Sequence, residues 1–430
     1  MIKNILIIGY VWPEPNSSAA GSRMLQLINA FLQQSWRVTF ASAANLSEHR
    51  IDLPALGVKE KIIALNCSSF DEYLNELQPD VVMFDRFFTE EQFGWRVANT
   101  CPNALRVLNT EDLHSLRNVR QQLLKTRQQS AAMEAEKYQL YPPVNTTETL
   151  YGLMASDDMA QREIAAIYRC DITLIISRFE YQLLQQAFSV PEALLHYCPF
   201  LLPPAISIQP TFAQRQDFIT IGNFRHEPNW DAVLCLKHQV WPRLRAQLPQ
   251  AQLHIYGAYP PPKATALHNP KQGFLVRGWA DDAHEIMQNA RVCLAPLRFG
   301  AGLKGKLIDA IQCGTPSVTT TIGAEGIDAA EKWPGFIADE REQFVTAAVN
   351  LYESPGLWQV AQDRCADTLQ QFSATTLTPF LINKLEATVD KLATHRRHNF
   401  IGAMLQHHQH KSTQYMSLWI EAKTRHVRQD

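Results

Sequence analysis

Short, almost wholly apolar runs alternate with helix-patterned segments along most of the 430 residues. In the first half, strands are expected at Asn4–Tyr10, Trp36–Ser42, Lys61–Asn66, Asp80–Asp85, Leu105–Glu111, Asp171–Ser177 and Leu194–Pro199. Between the first two, Met24, Ile28 and Phe31, flanked by Leu25 and Leu32, fall on one helical face. A strand that is apolar on both sides must be covered on both sides. The pattern therefore predicts doubly wound parallel sheets sandwiched by helices, an α/β fold.

The stretch "CPFLLPPAISIQPTFAQRQD" interrupts this rhythm, because Pro199, Pro203, Pro204 and Pro210 cannot sit inside a sheet. Strands are expected again at Asp217–Phe224, Gln252–Gly257, Phe274–Gly278, Val292–Leu297 and Ser317–Thr321, with helices at Trp230–Leu248, Ala283–Ala290 and Lys306–Cys313. A chain this long exceeds what one core serves. We expect one domain over 1–205, a second over 206–385, and helices over 386–430 that pack back on both. A ligand cleft is expected at the carboxyl ends of the two sheets.

A net charge of −2 argues against nucleic acid as partner, since neutralising phosphates needs a basic excess. The eight cysteines are scattered without a C-x-x-C pair and read as buried thiols of a reducing compartment. "MIKNILIIGY" reads as a strand and not a signal peptide, because "VWPEPNSSAAG" after it is turn chemistry. No run approaches the roughly 18 apolar residues of a membrane span. A cytoplasmic location is expected.

The segment "PLRFGAGLKGKLIDAIQCGTPSV", Pro296 to Val318, carries the chemistry. Gly300, Gly302 and Gly305 let successive N–H groups turn toward one anion, and the helix behind them adds its positive end. Lys304 and Lys306 add point charges suited to a phosphate that gains charge as it leaves. Asp309, three residues after Lys306, is placed beside that anion, where it can accept from sugar hydroxyls. Cys313-Gly314 and Pro316 end the helix.

"GAGLKGKLIDAIQCGTPSVTTTIGAEGI" resembles the donor-sugar signature of GT-B glycosyltransferases, most closely glycosyltransferase family 4. "CDITLIISRFEYQLL", "IGNFRHEPNWDAV", "LHIYGA", "VRGWADD" and "ARVCLAPLRFGAG" agree in order, so the resemblance covers nearly the whole chain. It implies two Rossmann-like domains facing a cleft, and transfer of a sugar from a nucleotide diphosphate, usually with retention. No metal or other cofactor is implied, and the chain has no D-x-D. Carried over by residue, Lys306, the amides around Gly302 and Leu303, and Lys304 would meet the donor diphosphate. Asp309 stands for the second Glu of the E-x7-E motif, which binds ribose. The first Glu falls at Ala301 and is missing, which puts the sugar-hydroxyl contact in doubt. Arg225 matches a phosphate-binding Arg loosely, and Gly278 and Trp279 lie where the base is read.

On the first-domain side, the resemblance places Ser18, Ala20 and Gly21 of "GYVWPEPNSSAAGSRM" over the donor phosphate and acceptor, with a simple strand–helix turn as the other reading. In "RVLNTEDLHSLRNVR", Asp112 and His114 are the candidates to face the reacting sugar, His114 orienting a hydroxyl and Asp112 acting as base if the reaction inverts. Ser177 reads as structural, and Glu180 as facing the cleft. Arg117, Arg120, Lys125 and Arg127 read as a solvated helix face, with a membrane surface or an anionic acceptor as the alternative. In the tail, His407, His408 and His410 lack the spacing of a metal site and read as a solvated helix face, and Met416, Leu418, Trp419 and Ile420 read as packed core, with a partner site as the other reading. The expectation is a glycosyltransferase that uses a nucleotide sugar and a glycan, lipid-linked or protein acceptor. A nucleotide-sugar epimerase and a non-catalytic nucleotide-sugar-binding protein are the rivals.

Overall fold

The computed structural model describes residues 2–143, 146–204, 209–329 and 332–427. The linker residues 205–208, which contain the expected boundary between 205 and 206, lie outside them. So do the side chains of His408 and His410. The first sheet contains β1 (Asn4–Gly9), β2 (Arg37–Ser42), β3 (Lys59–Ile62), β4 (Val81–Asp85), β5 (Leu105–Asn109), β6 (Ile172–Ile175) and β7 (Leu195–Tyr197). Its spatial order is β3-β2-β1-β4-β5-β6-β7. The second sheet contains β8 (Gln216–Ile221), β9 (Leu253–Tyr256), β10 (Phe274–Gly278), β11 (Ala290–Ala295), β12 (Ser317–Thr319) and β13 (Gly335–Ile337), in the order β10-β9-β8-β11-β12-β13. Neighbouring strands are parallel throughout both sheets. This is the doubly wound α/β architecture that the apolar runs predict.

Strand order reverses between β1 and β4 and again between β8 and β11. Loops leave in opposite directions at such points and open a crevice at the carboxyl ends of the strands. The two crevices face each other, and that defines where a ligand can be held.

Three elements differ from the sequence expectation. β3 covers Lys59–Ile62 and not Lys61–Asn66, because it is an edge strand whose register is set by β2; only Ile63, whose N–H bonds to Ser42, turns inward beyond it. β13 was not foreseen; its three residues, Gly335–Ile337, are defined by pairing with β12. The helix expected over Trp230–Leu248 runs as Glu227–Cys235 and Trp241–Gln247 joined by a π turn at Leu236–Val240. Pro242 lacks the N–H an α turn would use there, which accounts for the slip.

A helical excursion between β5 and β6, with helices His114–Gln129, Thr147–Met154 and Asp158–Arg169, covers one side of the first sheet. Helix Ala374–Asp390, assigned by sequence mostly to the second domain, joins the first domain's core through Leu381, Ile382 and Leu385, which cluster with Ile5, Ile7 and Leu27. The C-terminal helix Phe400–Val427 then lies across Phe87–Thr100 and Asp158–Arg169 of the first domain. Here the core reading of the tail fails. Ile420 is half-buried, but Met416, Leu418 and Trp419 are exposed, because the helix turns Gly402, Leu405 and Ser417 inward instead.

Candidate active site

Lys306 sits in the first turn of helix Gly305–Gln312, just behind the loop that follows β11. It is buried, and no hydrogen bond or ion pair engages its amine among the described residues. A desolvated ammonium without a counter-ion gives up its proton easily, and burial pushes Lys306 down to about 8. Burial pushes His226, from the loop after β8, down to about 4, and the nearby charges of Arg117, Lys306 and Arg86 act in the same sense. Sequence reasoning passed over His226, whose only signal was its place one residue after Arg225.

The glycine loop is built differently from a free anion nest. Gly302 has φ 62, and a Cβ there would stand 2.8 Å from the Asp112 Cβ, so the loop touches the first domain and needs glycine to do so. Its N–H donates to Glu180 Oε1 at 2.7 Å, and the same oxygen accepts from the Leu113 N–H at 3.0 Å. The Gly302 amide, expected to meet the diphosphate, is thus held by a first-domain carboxylate. Burial pushes Glu180 up to about 8, with the Asp112 charge acting in the same sense. Lys304 is also not a mobile charge. Its amine donates to Gly302 O at 2.7 Å and lies buried near Glu325 and Glu180. Leu303 closes the seam between the domains in an apolar cluster with Ile176 and Leu307.

Ala301, where the motif's first Glu would fall, is buried in the first domain's apolar cluster with Leu113, Leu116 and Leu183. A glutamate there would bury a charge among hydrocarbon, which explains why the position is small and apolar. Asp309 is partly open, and its carboxylate stands 3.8 Å from His284 Nε2. His284, unforeseen in the sequence, is pushed above its ordinary value by that contact.

Across the loop, Asp112 and His114 come together as expected. Burial alone would raise Asp112, but Arg117 and His114 hold its carboxyl far below the usual range. His114 Nε2 is 3.4 Å from Asp112 Oδ1. Burial and the neighbouring Arg117 and Arg86 push the imidazole down to about 3, so it is neutral at physiological pH. Its ring packs edge-on against Phe88, with centroids 5.2 Å apart. Glu163 orients this turn from below, accepting from His114 N at 2.9 Å and Ser115 N at 3.0 Å; burial pushes it up to about 7. Arg117 therefore belongs to the cleft and not to a solvated face. Arg120 is likewise buried, pairing with Glu325 and donating to Gly300 O.

A pocket with about 170 Å³ of space opens at the β1/β4 crevice. Ser18, Ala20 and Gly21 line it together with Asp85, Arg86, Asn223, Arg225 and Tyr259. Ser18 is also the N-cap of helix Ala19–Gln33, accepting from Gly21 N at 3.1 Å. Gly21 leaves room for the backbone of Glu14, which a Cβ would meet at 2.3 Å. Arg225 stacks on Tyr259, 3.6 Å from its ring centre. Arg86, which sequence analysis did not single out, holds φ 71 at the end of β4, a conformation non-glycine residues adopt at a cost. Gly278 has φ 77, and Trp279 stacks on His49 of the first domain with ring centres 3.9 Å apart.

Residues 215–354 match the family model described as Glycosyl transferases group 1. No curated protein matches the chain. Among solved structures it is similar to a sucrose-phosphate synthase from Thermosynechococcus elongatus, at 16% identity and TM-score 0.60, with 90% of this chain and 100% of that one covered. It is also similar to Anabaena Alr3699/HepE in complex with UDP and glucose, at 12% identity and TM-score 0.62, covering 90% and 100%. A glycosyltransferase from Rickettsia africae aligns at 10% identity and TM-score 0.60, covering 90% and 98%. The chain has the GT-B fold, and its second domain matches the group 1 glycosyl transferases.

Proposed function

We propose that this protein transfers a glycosyl group from a nucleotide-diphosphate sugar to a glycan, lipid-linked or protein acceptor, with retention and without a resident metal. The observation that carries the reading is the uncompensated Lys306 ammonium at a helix N-terminus, within electrostatic reach of His226, which Arg117 and Asp112 of the first domain also influence. As the bond from the anomeric carbon to the diphosphate breaks, charge collects on the leaving oxygen. A buried cation and a helix end stabilise it there more than in water. Asp112 is held too far below neutrality to be an effective general base. Its charge suits hydroxyl orientation, or the positive character that develops on the sugar. Asp309 would accept from the ribose and Trp279 would pack on the base, once it leaves His49. The Anabaena neighbour is a complex with UDP and glucose, which makes uridine diphosphate sugars the first donors to try.

The test is product formation from a panel of nucleotide sugars with and without acceptor glycans. Lys306→Ala is expected to lower the transfer rate about 10²- to 10³-fold, as loss of one transition-state charge partner does. Donor epimerised without any acceptor, or a Lys306→Ala enzyme of unchanged rate, would contradict the proposal.

A further inference from the structure

The C-terminal helix Phe400–Val427 turns one face onto the first domain and leaves an apolar one outside. Its inward face is locked. The Gly402 Cα is packed so closely on Tyr168 that a Cβ would meet the Tyr168 carbonyl at 2.1 Å. Arg96 donates to Ser417 Oγ at 3.3 Å, and Glu421 accepts from Ser68 Oγ at 2.7 Å. At 3.6 residues per turn, Phe400, Ile401, Met404, Tyr415, Leu418 and Trp419 then fall on the opposite side. All six are exposed, Phe400 by 76%, Tyr415 by 66% and Trp419 by 59%. A surface helix normally keeps polar residues on that side, and an aligned row of aromatic and aliphatic groups marks an interaction surface.

Charge selects the occupant. Residues 391–430 contain seven lysines and arginines against two acids, whereas the whole chain carries −2, so residues 1–390 carry −7. Of the seven cations Arg396 is paired with Asp171 of the first domain, and of the two acids Glu421 is engaged by Ser68 and lies 3.8 Å from Arg96, so the excess stays positive. Lys411 is exposed, and Lys423 Nζ stands 5.1 Å from the centre of the Trp419 ring. A second copy docked on this face would set cations against cations. Anionic headgroups would neutralise them, while tryptophan and tyrosine rings favour the boundary between headgroup and acyl chain. No helix among the described residues is long and apolar enough to cross a membrane, so this one would lie along the surface.

We infer that the outer face of the C-terminal helix docks the protein on an anionic lipid surface. The experiment is co-sedimentation of the full chain with vesicles of phosphatidylcholine alone, or with roughly one-third phosphatidylglycerol added. The full chain is expected to sediment with the anionic vesicles and to be released by salt. Two double variants, Tyr415→Ser with Trp419→Ser, and Lys411→Glu with Lys423→Glu, should each weaken binding about tenfold or more. Both should keep the parent melting temperature, because all four side chains are exposed. Absence of binding to anionic vesicles, or binding unchanged in both variants, overturns the inference. So does a concentration-dependent dimer that the Tyr415/Trp419 variant abolishes while no vesicle is bound.

Discussion

Lys306 is the residue on which the reading turns, and its protonation is measurable. Its pKa lies at about 8, below the ordinary lysine value of 10.5, because burial disfavours the charged form. Between those two values the unfolded chain binds the extra proton, so the contribution of Lys306 to stability rises with pH there. Anion binding depends on the proton and runs the other way. Affinity for a nucleoside diphosphate is expected to fall as pH rises through about 8, in a titration calorimetry series. Lys306→Arg, whose charge persists, should flatten that fall; an unchanged profile would mean another group controls it. At Gly302 the prediction concerns shape. Gly302→Ala forces a side chain into φ 62 and against Asp112, costing about 1–3 kcal/mol in urea denaturation. A variant as stable as the parent would show that the loop does not pack on the first domain as described.

The element of interest is the loop after β11, held by partners distant in sequence. Arg120 donates to Gly300 O at 2.8 Å and to both Glu325 oxygens at 2.8 and 2.7 Å, with both side chains buried. Replacing Arg120 with Met leaves Glu325 buried without its hydrogen-bonded partner, an expected loss of about 3–5 kcal/mol. Adding Glu325→Leu should recover much of it, so a double-mutant cycle by denaturation should show strong coupling. Additive losses would place the two side chains apart. These partners also show what a single sequence exposes. The strand–loop–helix pattern of Pro296–Val318 is local and was legible from period, glycines and the Cys313-Gly314 ending. That Glu180 takes the Gly302 amide and that Lys304 is buried near Glu325 depend on residues brought together from distant parts of the chain. No spacing rule reports such contacts. The same holds for His226 and Glu163, and for Ala301, whose departure from the motif makes sense only once the first domain's core lies beside it.

At the scale of the molecule, two sheets turn their switch points toward one cleft. Both sheets were legible because parallel strands must be apolar on both faces, although the edge strand β3 was placed too far along the chain and the edge strand β13 was missed. Across the cleft, Asn223 Nδ2 donates to Ser17 Oγ at 3.1 Å and Tyr259 to Glu14 Oε1 at 2.9 Å, and His49 stacks on Trp279. The cleft is expected to hold a nucleoside diphosphate against Lys306. The most direct measurement is thermal unfolding of the parent and Lys306→Ala with UDP, GDP, ADP, dTDP and CMP. At a hundredfold excess over Kd, binding adds about 2.7 kcal/mol to stability. A melting shift with one diphosphate that Lys306→Ala abolishes is the predicted result, and no shift with any of the five would contradict it.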